Sequence, residues 1–244
     1  MSTRTNVLLT FLPLFFLKPD VSHSQYAIFT YSCDTVMANC DTILAEYYDK
    51  AGRLNRKVNL KEGRNFITYE YDSTGRLTGK KHRQPDWTLV KYEKYYFTGG
   101  NEKWTHDSIF GKTNELLMVL TRQQTLDPGS YLVNWFFRKE ASPMTTQIIK
   151  EDGQGHELSN STCYAPDNCI TYINRYNQDR KIFVELWVLS PESGSSPILK
   201  ESEELVYDAN GQLTARVRFK EPEHIILERN RYERIEGLLP YKKY

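Results

Sequence analysis

The stretch YDSTGRL, residues 71–77, decides the fold, because the chain writes it three times. It returns as YDKAGRL at 48–54 and as YDANGQL at 207–213. The letters have a local mechanical meaning. In D-x-x-G the Asp opens a type I turn and its carboxylate accepts backbone N–H groups two residues on. The Gly sits where φ turns positive and a Cβ is costly. A type I turn followed by a left-handed residue joins two antiparallel strands. Tyr48, Asp49 and Gly52 therefore predict one hairpin, Tyr71, Asp72 and Gly75 a second, and Tyr207, Asp208 and Gly211 a third.

Weaker copies fill the gaps. They start at Tyr96, Glu151, Tyr176 and Tyr232, and a degenerate unit is expected within 125–132. A period of this length is the mark of a repeat architecture of about eight hairpins. In each unit Tyr pairs with Leu on one face and Asp with Arg on the other. Ile67 and Tyr69 share the face of Tyr71, and Val58 and Leu60 are expected to continue the face of Leu54. Leu213, Ala215, Val217 and Phe219 alternate with Thr214, Arg216 and Arg218, which predicts one apolar strand face. No stretch has the 3.6-residue period of a helix at helical length. The predicted fold is all-β: an antiparallel meander of consecutive hairpins forming an extended, curved or partly wrapped sheet with exposed edges.

At these residues the chain resembles the YD-repeat, or Rhs-repeat, family, as a small secreted bacterial member. The resemblance spans residues 44–232 and is carried by Tyr48, Tyr71 and Tyr207 with their Asp and Gly-Arg-Leu-like partners. It implies an antiparallel sheet that spirals toward a shell, in proteins of bacterial surfaces, secreted toxins and animal adhesion.

The N-terminus reads as an export signal. Arg4 precedes the apolar run VLLTFLPLFFL, and Ser22 and Ser24 are the small residues of a cleavage site. That run is shorter than the ~20 residues of a membrane helix. Two parts are expected: a signal peptide at 1–24 and a single β domain at 25–244, which leaves 220 residues (244 less 24). Cleavage removes Arg4, Lys18 and Asp20, so 32 basic and 31 acidic residues become 30 and 30. A neutral chain offers nucleic acid no electrostatic partner. The expected location is secreted, periplasmic or cell-surface. Cys33, Cys40, Cys163 and Cys169 form an even set in an exported chain, which points to disulfides. Their spacing suggests Cys33–Cys40 and Cys163–Cys169; two long-range pairings and a four-Cys zinc site are the alternatives.

No catalytic constellation stands out. The histidines are scattered, no Gly-x-Ser-x-Gly elbow occurs, and EDGQG at 151–155 reads as a repeat turn and not a calcium loop. No catalytic or metal-ligating residue and no cofactor is expected. Aromatic runs carry the functional hint. YEKYYF at 92–97 and WFF at 135–137 put rings on successive strand positions, which point to opposite faces. Tyr92, Tyr95, Tyr96 and Trp135 are the candidate ligand contacts. SPESGSSP at 190–197 reads as a hairpin-tip insertion. The expected function is a non-enzymatic binding module for a glycan or protein. The alternative is a structural part of a larger envelope or secretion assembly, joined through its sheet edges.

Overall fold

The computed structural model describes residues 24–239, apart from 35–37, 62, 64, 99–102, 139 and 195. The expected signal segment, part of the Tyr96 unit and the end of LLPYKKY lie outside the described residues. Sixteen strands follow one another: β1 (Ser24–Cys33), β2 (Cys40–Tyr48), β3 (Leu54–Asn59), β4 (Phe66–Tyr71), β5 (Leu77–Arg83), β6 (Leu89–Tyr96), β7 (His106–Gly111) and β8 (Leu116–Gln124). They continue as β9 (Ser130–Phe137), β10 (Thr145–Glu151), β11 (Glu157–Ala165), β12 (Asn168–Asn177), β13 (Arg180–Leu189), β14 (Ile198–Tyr207), β15 (Leu213–Lys220) and β16 (Ile225–Leu239). Each pairs antiparallel with its sequence neighbour, and β1 pairs with β16 from Ser24↔Leu239 to Cys33↔Arg229. The meander is thus as expected, but it closes into a barrel. Closure corrects the open or partly wrapped sheet, because the summed strand twist brings the two end strands together and satisfies both edges. The strand-addition route to a larger assembly loses its edges with it.

A meander puts alternate connections at opposite ends. The turns at 48–54, 71–77, 151–157 and 207–213 therefore share one rim with the connections after β6, β8 and β12. The degenerate unit is there too: Ser130 N–H bonds the Asp127 carbonyl at 3.0 Å, and Gly129 has φ 78°. Tyr232 corrects the count, since the expected unit at 232–239 lies inside β16. Both disulfides, Cys33–Cys40 and Cys163–Cys169, bridge directly paired residues on the opposite rim. Residues 190–197 also sit there, with a short 3-10 turn at Pro191–Ser193.

A bulge follows each repeat turn and overturns part of the expected face pattern. Tyr71 pairs Leu77, but Glu70 pairs Gly79, so Thr78 is the extra residue. The same shift leaves Asn55, Leu158, Ile182 and Thr214 without a partner. An extra residue flips every later side chain to the other face. Leu213 therefore stays with Tyr207, whereas Ala215, Val217 and Phe219 lie on the opposite face and Arg216 and Arg218 on the tyrosine face. Arg56 and Val58 part from Leu54 in the same way.

The tyrosine face is the concave one. On the other face Lys94, Tyr96, Ile148, Lys150, Arg175, Glu204, Arg231 and Glu233 are exposed. Buried side chains occur on both faces, with Tyr95, Asp107, Leu120, Val133, Ile149, Asn174 and Asn230 on the tyrosine face and Ala27, Ala45, Val58, Phe66 and Phe219 on the other. Arg122 on β8 reaches Glu151 on β10 across β9 at 3.0 Å, as side chains do where a sheet curls inward. Only nine apolar side chains are buried among the described residues, so the wall is a single layer with no solid core.

Candidate functional site

The repeat turns build the rim on which the site sits. Asp72 Oδ1 accepts the N–H groups of Thr74 and Arg76, each at 2.9 Å, and Oδ2 accepts Arg76 Nε at 2.8 Å. Gly75 closes the turn with φ 89°. Asp49 repeats the set with Ala51 and Arg53, and Asp208 accepts the N–H groups of Asn210 and Gln212. The hydroxyl of Thr74 bonded to Asp72, with the Arg76 bonds, holds that carboxyl well below the usual range. Each turn also ties to the one before it. Tyr71 lies under the Arg53 guanidinium, 5.1 Å from it, and donates its hydroxyl to the Leu54 carbonyl. Tyr176 stacks on His156, and Tyr207 lies under Arg180, with hydroxyl bonds to the Glu157 and Lys181 carbonyls. At the seam between β16 and β1 the chain of stacks continues from Arg234 to Tyr26 and from Tyr26 to Tyr48.

Where the rim passes β5 to β8 this arrangement opens into a cleft of about 320 Å³ in the barrel mouth. Arg76, Leu77, Lys80, Tyr95, Phe97, Lys103, Trp104 and Arg122 line it. The cations lie against rings: Arg76 is 4.6 Å from the Phe97 centroid, Lys80 5.2 Å from Tyr95 and Arg122 5.9 Å from Trp104. Each cation has a carboxylate partner. Asp72 holds Arg76, Glu93 lies 3.4 Å from Lys80, and Glu151 takes both Lys103 and Arg122.

Below the cleft is a buried polar cluster. Tyr95 donates its hydroxyl to Glu93 at 2.8 Å, and His82 Nε2 meets the other oxygen of Glu93 at 2.8 Å. Burial works against the Glu93 charge, but His82, Lys80 and the Tyr95 hydroxyl outweigh it and lower its pKa to about 2. Asp107, the cross-strand partner of Tyr95, is only 3% exposed, and its Oδ1 has no hydrogen-bond partner. Burial, and then the Glu93 charge, push it up to about 7. Among the described residues no three His, Cys, Asp or Glu side chains gather as a metal site.

Of the four aromatic candidates only Tyr95 lines this cleft. Trp135 is on the same face but packs beside Leu120, Val133 and Ile149. Tyr92 and Tyr96 are on the outer face, where Tyr92 stacks on Phe110 and Tyr96 meets His106 edge-on. Sequence reasoning missed Trp104, Lys103 and Arg122. Their signal was weak: one Trp at the end of a loop, and an Arg in a strand whose face depends on upstream bulges.

No protein-family model matches the sequence, and no curated protein matches it. Among solved structures, a porin-like protein from Bacteroides uniformis ATCC 8492 overlaps with TM-score 0.38 and 10% identity, over 88% of this chain and 98% of that one. Two crystal structures of TcdB2-TccC3 also overlap. The complex with Cdc42 gives TM-score 0.30 and 12% identity over 80% of this chain, and the TcdB2-TccC3-TEV structure gives 0.24 and 11% over 75%. This chain spans 14% and 12% of those two chains, respectively.

Proposed function

We propose that the protein is an exported, non-enzymatic binding module of the YD-repeat type, and that the mouth of its barrel takes a glycan. The carrying observation is the cleft between β5 and β8, where Tyr95, Phe97 and Trp104 share one wall with four cations. Rings offer a sugar its apolar faces, and N–H donors hold its oxygens. The two disulfides favour an oxidising compartment, in line with the export signal read at the N-terminus. Screening the mature protein against a glycan array, followed by calorimetry, tests the reading. Binding of at least one saccharide class is expected, and Trp104→Ala should weaken it at least tenfold while the far-UV spectrum is kept. A folded protein that binds no saccharide, or a Trp104→Ala variant that binds as before, removes this function.

A further inference from the structure

We infer that the cleft selects an anionic saccharide, with the carboxylate or sulfate of the sugar seated among Lys80, Lys103 and Arg122. The inference rests on the glycan-binding reading and adds the ligand's charge to it. Three observations carry it. First, among the described residues no acidic side chain lines the cleft, although the chain as a whole is nearly neutral. The second pocket of the same mouth, lined by Glu46, Gln212, Thr214 and Arg234 among others, carries both signs. Second, the four cations share three carboxylates, Asp72, Glu93 and Glu151, because Glu151 is divided between Lys103 and Arg122. Lys91 also draws on Glu93, at 3.8 Å, and even with Asp107 beside Lys80 counted in, the described cations around the cleft outnumber the carboxylates. Third, the wall offers donors in excess. The Tyr95 hydroxyl is already given to Glu93, whereas Arg122 keeps a buried Nε without a hydrogen-bond partner. A neutral sugar needs acceptors for its hydroxyl protons as well as donors. An anionic one supplies acceptor oxygens in surplus, which matches a wall of Arg, Lys and Trp.

The test uses the mature protein and three oligosaccharides of equal length: an oligogalacturonate, its methyl ester, and a sulfated oligosaccharide. Titration calorimetry at low salt should show the carboxylated or the sulfated ligand binding at least tenfold tighter than the ester, and the tighter of the two names the anionic group. Raising the salt should weaken that binding and leave the ester unchanged. Lys80→Gln and Lys103→Gln should each cut the anionic preference several-fold, with Lys112→Gln on the opposite rim as the control. Melting curves confirm that the variants fold. Equal binding of ester and acid overturns the inference and leaves the glycan reading standing. If none of the three binds and no other glycan does, the glycan reading itself falls, and the inference with it.

Discussion

Tyr71 donates its hydroxyl to the main-chain carbonyl of Leu54, 2.8 Å away, and so ties one repeat hairpin to the turn of the hairpin before it. The bond recurs from Tyr176 to Glu157 at 3.1 Å and from Tyr207 to Lys181 at 2.7 Å. The Tyr of the repeat is therefore a coupling between units as well as half of a cross-strand pair. Tyr71→Phe, Tyr176→Phe and Tyr207→Phe should each lose about 1 kcal/mol in urea unfolding, the usual worth of one such bond. The loss at Tyr71 should add to the other two, whereas Tyr176 and Tyr207 both adjoin Lys181 and should couple. A neutral Tyr207→Phe would show that the ring stack alone does the coupling.

Gly75 has φ 89° at the end of its turn. A β-branched residue cannot hold that conformation without strain. Gly75→Val should cost about 1–3 kcal/mol in a denaturant titration, and an unchanged melting temperature would contradict the turn geometry.

Asp107 gives a pH dependence with a definite sign. Its folded pKa, about 7, is above the ordinary carboxyl value of 3.8. The folded state therefore holds this proton more tightly than the unfolded chain does. Its contribution to stability is fully present below the unfolded value and is lost as pH rises to about 7. Glu93, Lys80 and Tyr95 are the ionisable groups that act on it through space. Asp107→Asn should be more stable than the wild type at pH 8 by about 2–4 kcal/mol. The gap should close near pH 4. Parallel melting curves across that range would show otherwise if the carboxyl were solvated.

The Cys33–Cys40 and Cys163–Cys169 bridges close short loops on one rim, with sequence separations of 7 and 6. Loops of that size give about 2 kcal/mol each by constraining the unfolded chain. Replacing either pair by Ser should lower stability by that amount, and replacing both should lower it by the sum. Mass mapping without reductant should recover both local bridges and neither long-range pairing.

Local chemistry was legible in the residues. Asp72 and Gly75 specify their turn from within seven positions, the Cys pairs lie across single hairpins, and the degenerate unit near Asp127 could be placed by period alone. These features depend on contacts between near neighbours in the chain. What the tertiary structure decided depends on sums over many strands. Whether β1 meets β16 follows from the accumulated twist and tilt of sixteen strands, and no single stretch records it. The face of Ala215 or Arg56 follows from a bulge that the period-two pattern hides, because one extra residue reverses the alternation beyond it. The cleft gathers Arg76, Tyr95, Trp104 and Arg122 from separate strands and connections. Only the barrel's curvature brings their tips together, which is why the aromatic runs pointed to the right segment of chain and to only two of the lining residues, Tyr95 and Phe97.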